Sequence, residues 1–423
     1  MAKNINSILK EILEKVEPTK EELKDIENLL EDFIKKLRKN IKTQKINAEI
    51  FIGGSFAKST VIRKDHYDID IFIRFDKKYK NISDLTKKIL RNMKNVSLIH
   101  GSRDYFRIKA SKDLFFEVIP VKKIKSPKEA ENIMDLSYSH VRYIKRKIKS
   151  EKILDDIRLA KAFCYGNNCY GAESYVNGFS GYALELLIYH YGGFLKFLKA
   201  MIKIKEQEVI DIEKHHKSKQ RILMDINAAK IQSPIILIDP TYKQRNALAA
   251  LSDETFRAFQ KACKNFLKNP VIKAFEIKKI DFEKVRKDAR RRGREFILLG
   301  ARTKKQEGDV AGSKLLKFYR HLGNEIEKYF KIKSRGFEYN GKKSASYFFT
   351  VKKKPEIVIR GPLESQKEHV KKFKKKYKKV FTKKGKIYSR KKINFTLKKF
   401  LEDWKKKHRE KVKDMSIIGL RVF

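Results

Sequence analysis

Residues 46 to 75 constrain the fold more tightly than any other stretch of the chain. Ile46, Ala48, Ile50 and Ile52 alternate with polar neighbours and lead into Gly53-Gly54-Ser55, the period of a half-buried strand that ends in a turn. A second alternating run, Asp68 to Phe75, sets Ile69, Ile71, Ile73 and Phe75 on one face and Asp68, Asp70 and Phe72 on the other. A third, Leu114 to Val121, separates Phe116 and Val118 from Phe115, Glu117 and Ile119. Helices precede these strands. Pro18 breaks an amphipathic N-terminal helix, and Thr19 with Glu22 makes a T-x-x-E capping box that opens another, along which Leu23, Ile26, Leu30, Phe33 and Leu37 recur at helical spacing.

The turn and the acids after it suggest chemistry. Gly53 and Gly54 allow a turn with no Cβ in the way, and Ser55 is predicted to begin a helix whose free N–H groups and hydroxyl can hold the oxygens of a triphosphate. Asp68 and Asp70, two apart on a strand, leave the same face and can share metal ions with that phosphate. Glu117 is the candidate third carboxylate, because it interrupts the apolar strand FFEVIP, where an unpaired charge is expensive to bury. Three such acids suit Mg²⁺, expected as two ions, one activating an attacking oxygen and one steadying a departing pyrophosphate. A lone D-x-D reads as a solvated strand face, and for Glu117 alone a salt bridge to one of many lysines is the lesser alternative. Joined to the upstream G-G-S, they read as one metal and triphosphate site.

Charge decides the class of partner. Lys and Arg number 102 against 51 Asp and Glu, a formal net charge of +51, and neutralising phosphates is what releases condensed counterions. Nucleic acid is the expected partner. With 41% hydrophobic and 11% aromatic residues the chain is no disordered basic tail. Cys164, Cys169 and Cys263 are too few for a disulfide framework and lack zinc-like spacing, which points to a reducing compartment. No apolar stretch approaches the ~20 residues that span a bilayer, so a cytoplasmic protein with no membrane partner is expected. From about Ser126 to Leu267 the pattern is mostly helical, with Leu184, Leu187, Ile188 and Tyr191 as one stripe. Past Asn269-Pro270 strands return at 296–299, 344–351 and 356–360, with a helix predicted over 313–330. A Lys-rich stretch, 367–392, carries Phe373, Tyr377, Phe381 and Tyr388, and a last helix runs through Leu397, Leu401 and Trp404.

The G-S, D-x-D and later acid resemble the signature of the polymerase-β-like nucleotidyltransferases. RLAKAFCYGNNCYGAESYVNGFSGYALELLIYHYGGF, residues 158–194, and IDPTYKQRNALAALS, residues 238–252, narrow this: they resemble the archaeal, class I CCA-adding enzymes, which add C, C and A to the 3′ end of tRNA without a nucleic-acid template. The likeness runs with gaps from the first helices to about residue 270, and more weakly near Gly361.

The resemblance implies an α+β fold in three parts: a polymerase-β-like nucleotidyltransferase sheet-and-helix domain over 1–145, a mainly helical, nucleotide-binding central domain over 146–270, and a small basic α+β tail over 271–423 that binds RNA, its last helix free to pack back on the body. Asp68, Asp70 and Glu117 would be the catalytic, metal-binding carboxylates. Gly54, Ser55 and Lys58 would meet the triphosphate, as would Ser137 and His140 in DLSYSH, with Lys161 and Tyr170 on the family's phosphate-contacting Lys and Tyr, and Arg245 on an Arg that recognises the incoming base. The implied partners are tRNA, CTP and ATP, with a homodimer left open. In the tail, Arg291, Arg292, Lys374, Lys375, Lys376 and Lys378 would grip RNA by shape and charge. The chain departs from the family in three places: Glu117 stands for the usual Asp, Ser137 for Thr, and Val61 for a Trp after Thr60. A poly(A) or oligoadenylate polymerase, or a catalytically inactive tRNA-binding protein, would share most of these features.

Overall fold

The first two helices are punctuated by the residues around Pro18. Helix α1 (Ile5–Val16) starts at Asn4, whose side chain accepts from the Asn6 N–H. Helix α2 (Lys20–Thr43) starts at the predicted capping box: Thr19 Oγ1 accepts from Glu22 N–H at 3.1 Å and Glu22 Oε2 accepts from Thr19 N–H at 2.6 Å. One side of α2 buries Ile26, Leu30, Phe33, Leu37 and Ile41. Each contributes roughly 1.5–3 kcal/mol when fully buried. The exposed pairs of Lys35 with Glu31 and Asp32 on the other side contribute only about 0.3–0.5 kcal/mol each. The apolar stripe therefore decides how α2 docks.

The computed structural model describes residues 4–101, 103–277, 279–377 and 379–423. The chain divides into two units, residues 1–278 and 279–423. In the first, β1 (Ala48–Ile52), β2 (Tyr67–Phe75), α3 (Ile82–Ile89), β3 (Val96–Ile99), β4 (Tyr105–Lys109) and β5 (Leu114–Lys122) give a five-stranded sheet of order β1-β2-β5-β4-β3. Ile69, Ile71, Ile73 and Phe75 share a core with the buried face of α2. β2 and β5 run parallel, and their register sets Asp70 beside Glu117. Asp68 lies two residues back on β2, so all three acids leave the face that α2 does not cover.

The glycine segment is not the predicted helix. Residues 54–59 coil through turns: Ala57 N–H donates to Gly53 O, and both Lys58 and Thr60 N–H donate to Ser55 O. Ser59, at φ 55°, reverses the chain before a second helical turn can form. The central part is less purely helical than its sequence suggests. Helices α4 (Ser137–Lys147), α5 (Glu151–Gly166), α6 (Gly181–Tyr191), α7 (Phe194–Met201), α8 (Lys219–Asp225) and α9 (Asp253–Lys268) surround a three-stranded sheet of β6 (Glu208–Ile210), β7 (Ile235–Asp239) and β8 (Tyr242–Asn246). Every residue of β7 is buried, so it lacks the alternation that marks a half-exposed strand. Phe163, Phe179, Phe194, Phe197, Phe259 and Phe266 fill this core, together with Ile8, Leu9 and Ile12 from α1. All three cysteines are buried and free.

In the second unit, α10 (Phe282–Arg291) leads to β9 (Glu295–Thr303), α11 (Asp309–Glu327), β10 (Phe330–Tyr339) and β11 (Ser344–Lys353), and a sheet of order β10-β11-β9-β15 closes with the C-terminal β15 (Ile417–Val422). Between them lie β12 (Glu356–Leu363), α12 (Lys367–Lys376), β13 (Val380–Lys383), β14 (Lys386–Lys392), α13 (Leu397–Lys407) and α14 (Arg409–Asp414). The Lys-rich stretch thus folds into a helix and a hairpin, with Phe373 against Tyr377 and Phe381 stacked on Tyr388. Among the described residues no helix is long and apolar enough to cross a membrane.

Candidate active site

The register of β2 and β5 concentrates negative charge. Burial pushes Asp70 up to about 6, with Asp68 adding to the rise and Lys58 opposing it. Burial pushes Glu117 up to about 8, again aided by Asp70 and Asp68 and opposed by Arg107. Arg107 pairs with Glu117 across β4 and β5. Its Nη2 donates to Asp68 Oδ1 at 2.7 Å, and its Nε lies 3.8 Å from Glu117 Oε1. That Nε is buried without a hydrogen-bond acceptor, and the guanidinium lies 4.0 Å over the Phe115 ring. Among the described residues no three His, Cys, Asp or Glu side chains already close on a common point as an ion cage. The donor set nevertheless suits a hard divalent ion: carboxylate oxygens alone, on one sheet face, with the proton affinity of Asp70 and Glu117 raised until a cation relieves them.

The turn presses onto these acids. A Cβ at Gly54 would lie 1.7 Å from Asp70 Oδ2, and Gly54 has φ +60°, so only glycine fits. Among the described residues the N–H groups of Gly54, Ser55 and Phe56 find no acceptor in the protein, whereas those of Gly53, Ala57, Lys58, Ser59 and Thr60 do. Three successive amides are thereby left for an anion beside Asp70. Ser55, Lys161 and Tyr170 line a small adjoining cavity with Thr60, Lys64 and Asp68. Tyr170 stacks on Tyr165 at 4.1 Å, and Lys64 Nζ donates to Tyr165 Oη at 2.6 Å.

Lys58 and Lys161 meet on a residue that no sequence motif singles out. Glu185 of α6 is fully buried and accepts from Lys58 Nζ at 2.6 Å, Lys161 Nζ at 3.1 Å and Thr60 Oγ1 at 3.0 Å. Burial alone would raise its proton affinity, but Lys58 and Lys161 hold Glu185 below its ordinary value. Lys161 is lowered to about 8 by burial, with Glu185 opposing.

His140 and Arg245 meet on a second acid of this kind. Asp239, at the end of β7 and wholly buried, accepts from Arg245 Nη1 at 2.6 Å, His140 Nε2 at 2.9 Å, Tyr182 Oη at 3.0 Å, and both the N–H and the hydroxyl of Thr241 at 2.8 Å. Burial works against its ionisation, yet His140 and Arg245 keep Asp239 well below the usual carboxylate range. Burial lowers His140 as well, and its hydrogen bond to Asp239 opposes the fall. Its ring stacks on Tyr182 at 4.0 Å, and Tyr182 lies three residues before Glu185 on α6. With Lys58 Nζ 6.0 Å from the Tyr182 ring, the two clusters adjoin. Ser137 opens α4 one turn before His140, and no side-chain hydrogen bond caps that helix.

The structure thus gathers Gly54, Ser55, Lys58, Asp68, Asp70, Glu117, Lys161 and Tyr170 around the turn, and His140 and Arg245 next to them. Arg291 and Arg292, at the end of α10, and Lys374, Lys375 and Lys376, in the last turn of α12, are exposed in the second unit. Lys378 lies outside the described residues. Glu185 and Asp239 carried the same signal as Glu117, a single acid inside an apolar run (YALELLI and IILID).

Two family models match the first unit. Residues 34–154 match the nucleotidyltransferase domain family and residues 155–276 the second domain of tRNA nucleotidyltransferase. The CCA-adding enzyme of Nanoarchaeum equitans is 37% identical over 284 residues, covering 66% of this chain and 67% of that protein. That of Methanocaldococcus jannaschii is 29% identical over 404 residues, 91% of this chain and 87% of that protein. Among solved structures, the Cid1 RNA terminal uridylyl transferase superposes with a TM-score of 0.51 over 65% of this chain and 98% of its own, at 10% identity, a likeness of fold. A polymerase-β-like sheet bearing the acids, joined to a second domain of the tRNA nucleotidyltransferase type, is the architecture of nucleotidyl transfer to RNA, and the chain belongs to the CCA-adding enzyme family.

Proposed function

We propose that this protein adds C, C and A to the 3′ end of tRNA in the cytoplasm, using CTP and ATP and no nucleic-acid template. The observation that carries the reading is the β2–β5 register, which sets Asp68, Asp70 and Glu117 on one face against a turn with three unspent amides. Two Mg²⁺ ions held by these acids would supply Lewis acidity at the phosphorus and at the attacking oxygen. The chain's own residues do the rest. The N–H groups of Gly54, Ser55 and Phe56, with Lys58, bind and orient the triphosphate so that the α-phosphate faces the tRNA 3′-hydroxyl. That hydroxyl attacks the α-phosphorus in line, its proton passes to water as the new oxygen–phosphorus bond forms, and the bond from that phosphorus to pyrophosphate breaks. Positioning and charge stabilisation suffice for such a step, and no covalent nucleophile is needed. Arg245, held through Nη1 by Asp239, keeps its other N–H donors for the edge of the incoming base. We assign catalysis to residues 1–145, nucleotide selection to 146–270 and tRNA grip to the basic tail at 271–423.

Incubating tRNA trimmed of its 3′ end with CTP and ATP, separately and together, tests this. The expected products are two added C with CTP alone and a completed CCA end with both. Unlimited A addition to unrelated RNA would assign the chain to a poly(A)-type polymerase instead, and tRNA binding with no incorporation would make it an inactive binding protein.

A further inference from the structure

Glu185 is the sole acid of α6, a helix whose Ala183, Leu184, Leu186, Leu187 and Ile188 are all buried. A carboxylate left unpaired in such surroundings costs several kcal/mol. Its three donors remove that cost, and counting their protons separates the two lysines. An ammonium has three N–H donors. Lys161 spends all of them on the protein, at 3.0 Å to Thr60 O, 2.7 Å to Thr60 Oγ1 and 3.1 Å to Glu185 Oε1. Among the described residues Lys58 Nζ makes a single hydrogen bond, to Glu185 Oε2, which leaves two N–H groups on a side chain rooted in the turn with the unspent amides.

We propose that Glu185 is a positioning residue: it aims the Lys58 ammonium, which keeps two N–H groups, at the triphosphate and holds the Lys161 ammonium beside it. The inference rests on reading the turn at Gly54–Phe56 as the triphosphate cradle. Thr60 completes the arrangement by accepting from Lys161 and donating to Glu185, which ties the turn to α5 and α6. The other charges facing Lys161 are Lys58 and Lys64, with Asp70 on β2.

The test measures CTP affinity by calorimetry, trimmed-tRNA affinity by filter binding, and KM and kcat for CTP, on the full chain carrying Glu185→Gln. CTP affinity should fall about tenfold and KM rise in step, the loss expected when a charge-assisted hydrogen bond no longer orients its donor. Affinity for tRNA should not change. Because Lys161 then faces Lys58 without a carboxylate, it loses its proton more readily, and the decline of CTP affinity with rising pH should begin at lower pH than in the wild type. Should Glu185→Gln fail to fold, Glu185→Asp keeps the charge but shortens its reach to Lys58, and a smaller loss of CTP affinity in the same direction is expected. Wild-type CTP affinity in the variant that folds, or CTP and tRNA affinity falling together, would overturn the proposal. Addition of C by the wild type is the separate control: its absence refutes the catalytic reading, whereas its presence beside unaltered CTP affinity in the variant refutes only the role of Glu185.

Discussion

Replacing Gly54 by alanine should destroy activity while leaving a folded protein. The position has φ +60°, which costs a non-glycine residue about 1–2 kcal/mol. The steric effect is larger and local: the new Cβ would lie 1.7 Å from Asp70 Oδ2 and 2.7 Å from its Cγ, so the carboxylate must retreat. A displacement of roughly 1 Å at a reacting centre can cost about 10²-fold in rate, or about 2.7 kcal/mol of barrier. Gly192 provides the control. It has φ +68° at the end of α6, and a Cβ there would meet nothing nearer than Lys196 Nζ at 3.7 Å. Both alanine variants should lose similar melting temperature, but only Gly54→Ala should lose incorporation of labelled CTP into trimmed tRNA, by about 100-fold or more. Incorporation by Gly54→Ala within a few-fold of wild type, or an equal loss in Gly192→Ala, would refute the argument that the turn and Asp70 are fitted to one another.

Three further outcomes follow from the same geometry. Asp70→Asn should abolish incorporation and leave tRNA affinity within twofold, as filter binding would read. Glu117 gives a pH signature: its proton affinity is raised in the folded state, so it favours the fold below its ordinary value of 4.5 and that contribution is lost as pH climbs toward about 8. Metal-free protein should therefore melt at a lower temperature at pH 8 than at pH 6.5, with the slope absent in Glu117→Gln and flattened by excess Mg²⁺, as calorimetry would show. Changing Lys374, Lys375 and Lys376 to alanine should weaken tRNA binding and reduce the magnitude of the slope of log K against log salt by about 0.7–0.9 for each phosphate that is no longer neutralised.

The catalytic sheet was legible because its strands are half-exposed. Ile69, Ile71 and Ile73 alternate with Asp68, Asp70 and Phe72, and a period of two survives in the sequence only where one face is covered and the other is not. β7 is buried on both faces, so IILID looks like any apolar run, and the sheet inside the central part went unread. Ser55 was expected to open a helix after the strand-ending turn at Gly53-Gly54; what stops it, Ser59 in a left-handed conformation, has no marker in residue type. The hairpin of β13 and β14 was missed because charged and polar residues occupy so many of its positions, whereas the terminal strand β15, IIGLRV, is mostly apolar and too short, with Gly419 and a register shift inside it, to show a period of two. The site residues divide the same way. Glu117 is conspicuous because it interrupts an apolar strand that follows a G-G-S turn and a D-x-D strand. Glu185 lies in a helical apolar stripe and Asp239 at the end of a wholly apolar run, outside that pattern, although the cost of burying their charge was as visible. Arg107 offered no signal at all among so many cations.

Helix α1 has a bearing on how this molecule is made. Its Ile8, Leu9 and Ile12 join a core built with Phe163, Phe194 and Phe266, while the very next helix packs on the catalytic sheet. Those three residues find their full surroundings only once Phe266, near the far end of the first unit, is in place. A fragment that stops near residue 154, where one family domain gives way to the next, would keep Tyr143, Ile144 and Ile148 of this core but lack Phe163, Phe194 and Phe266, and so leave the oily side of the helix partly uncovered. Cutting the first unit at its family boundary therefore splits a core that both halves share.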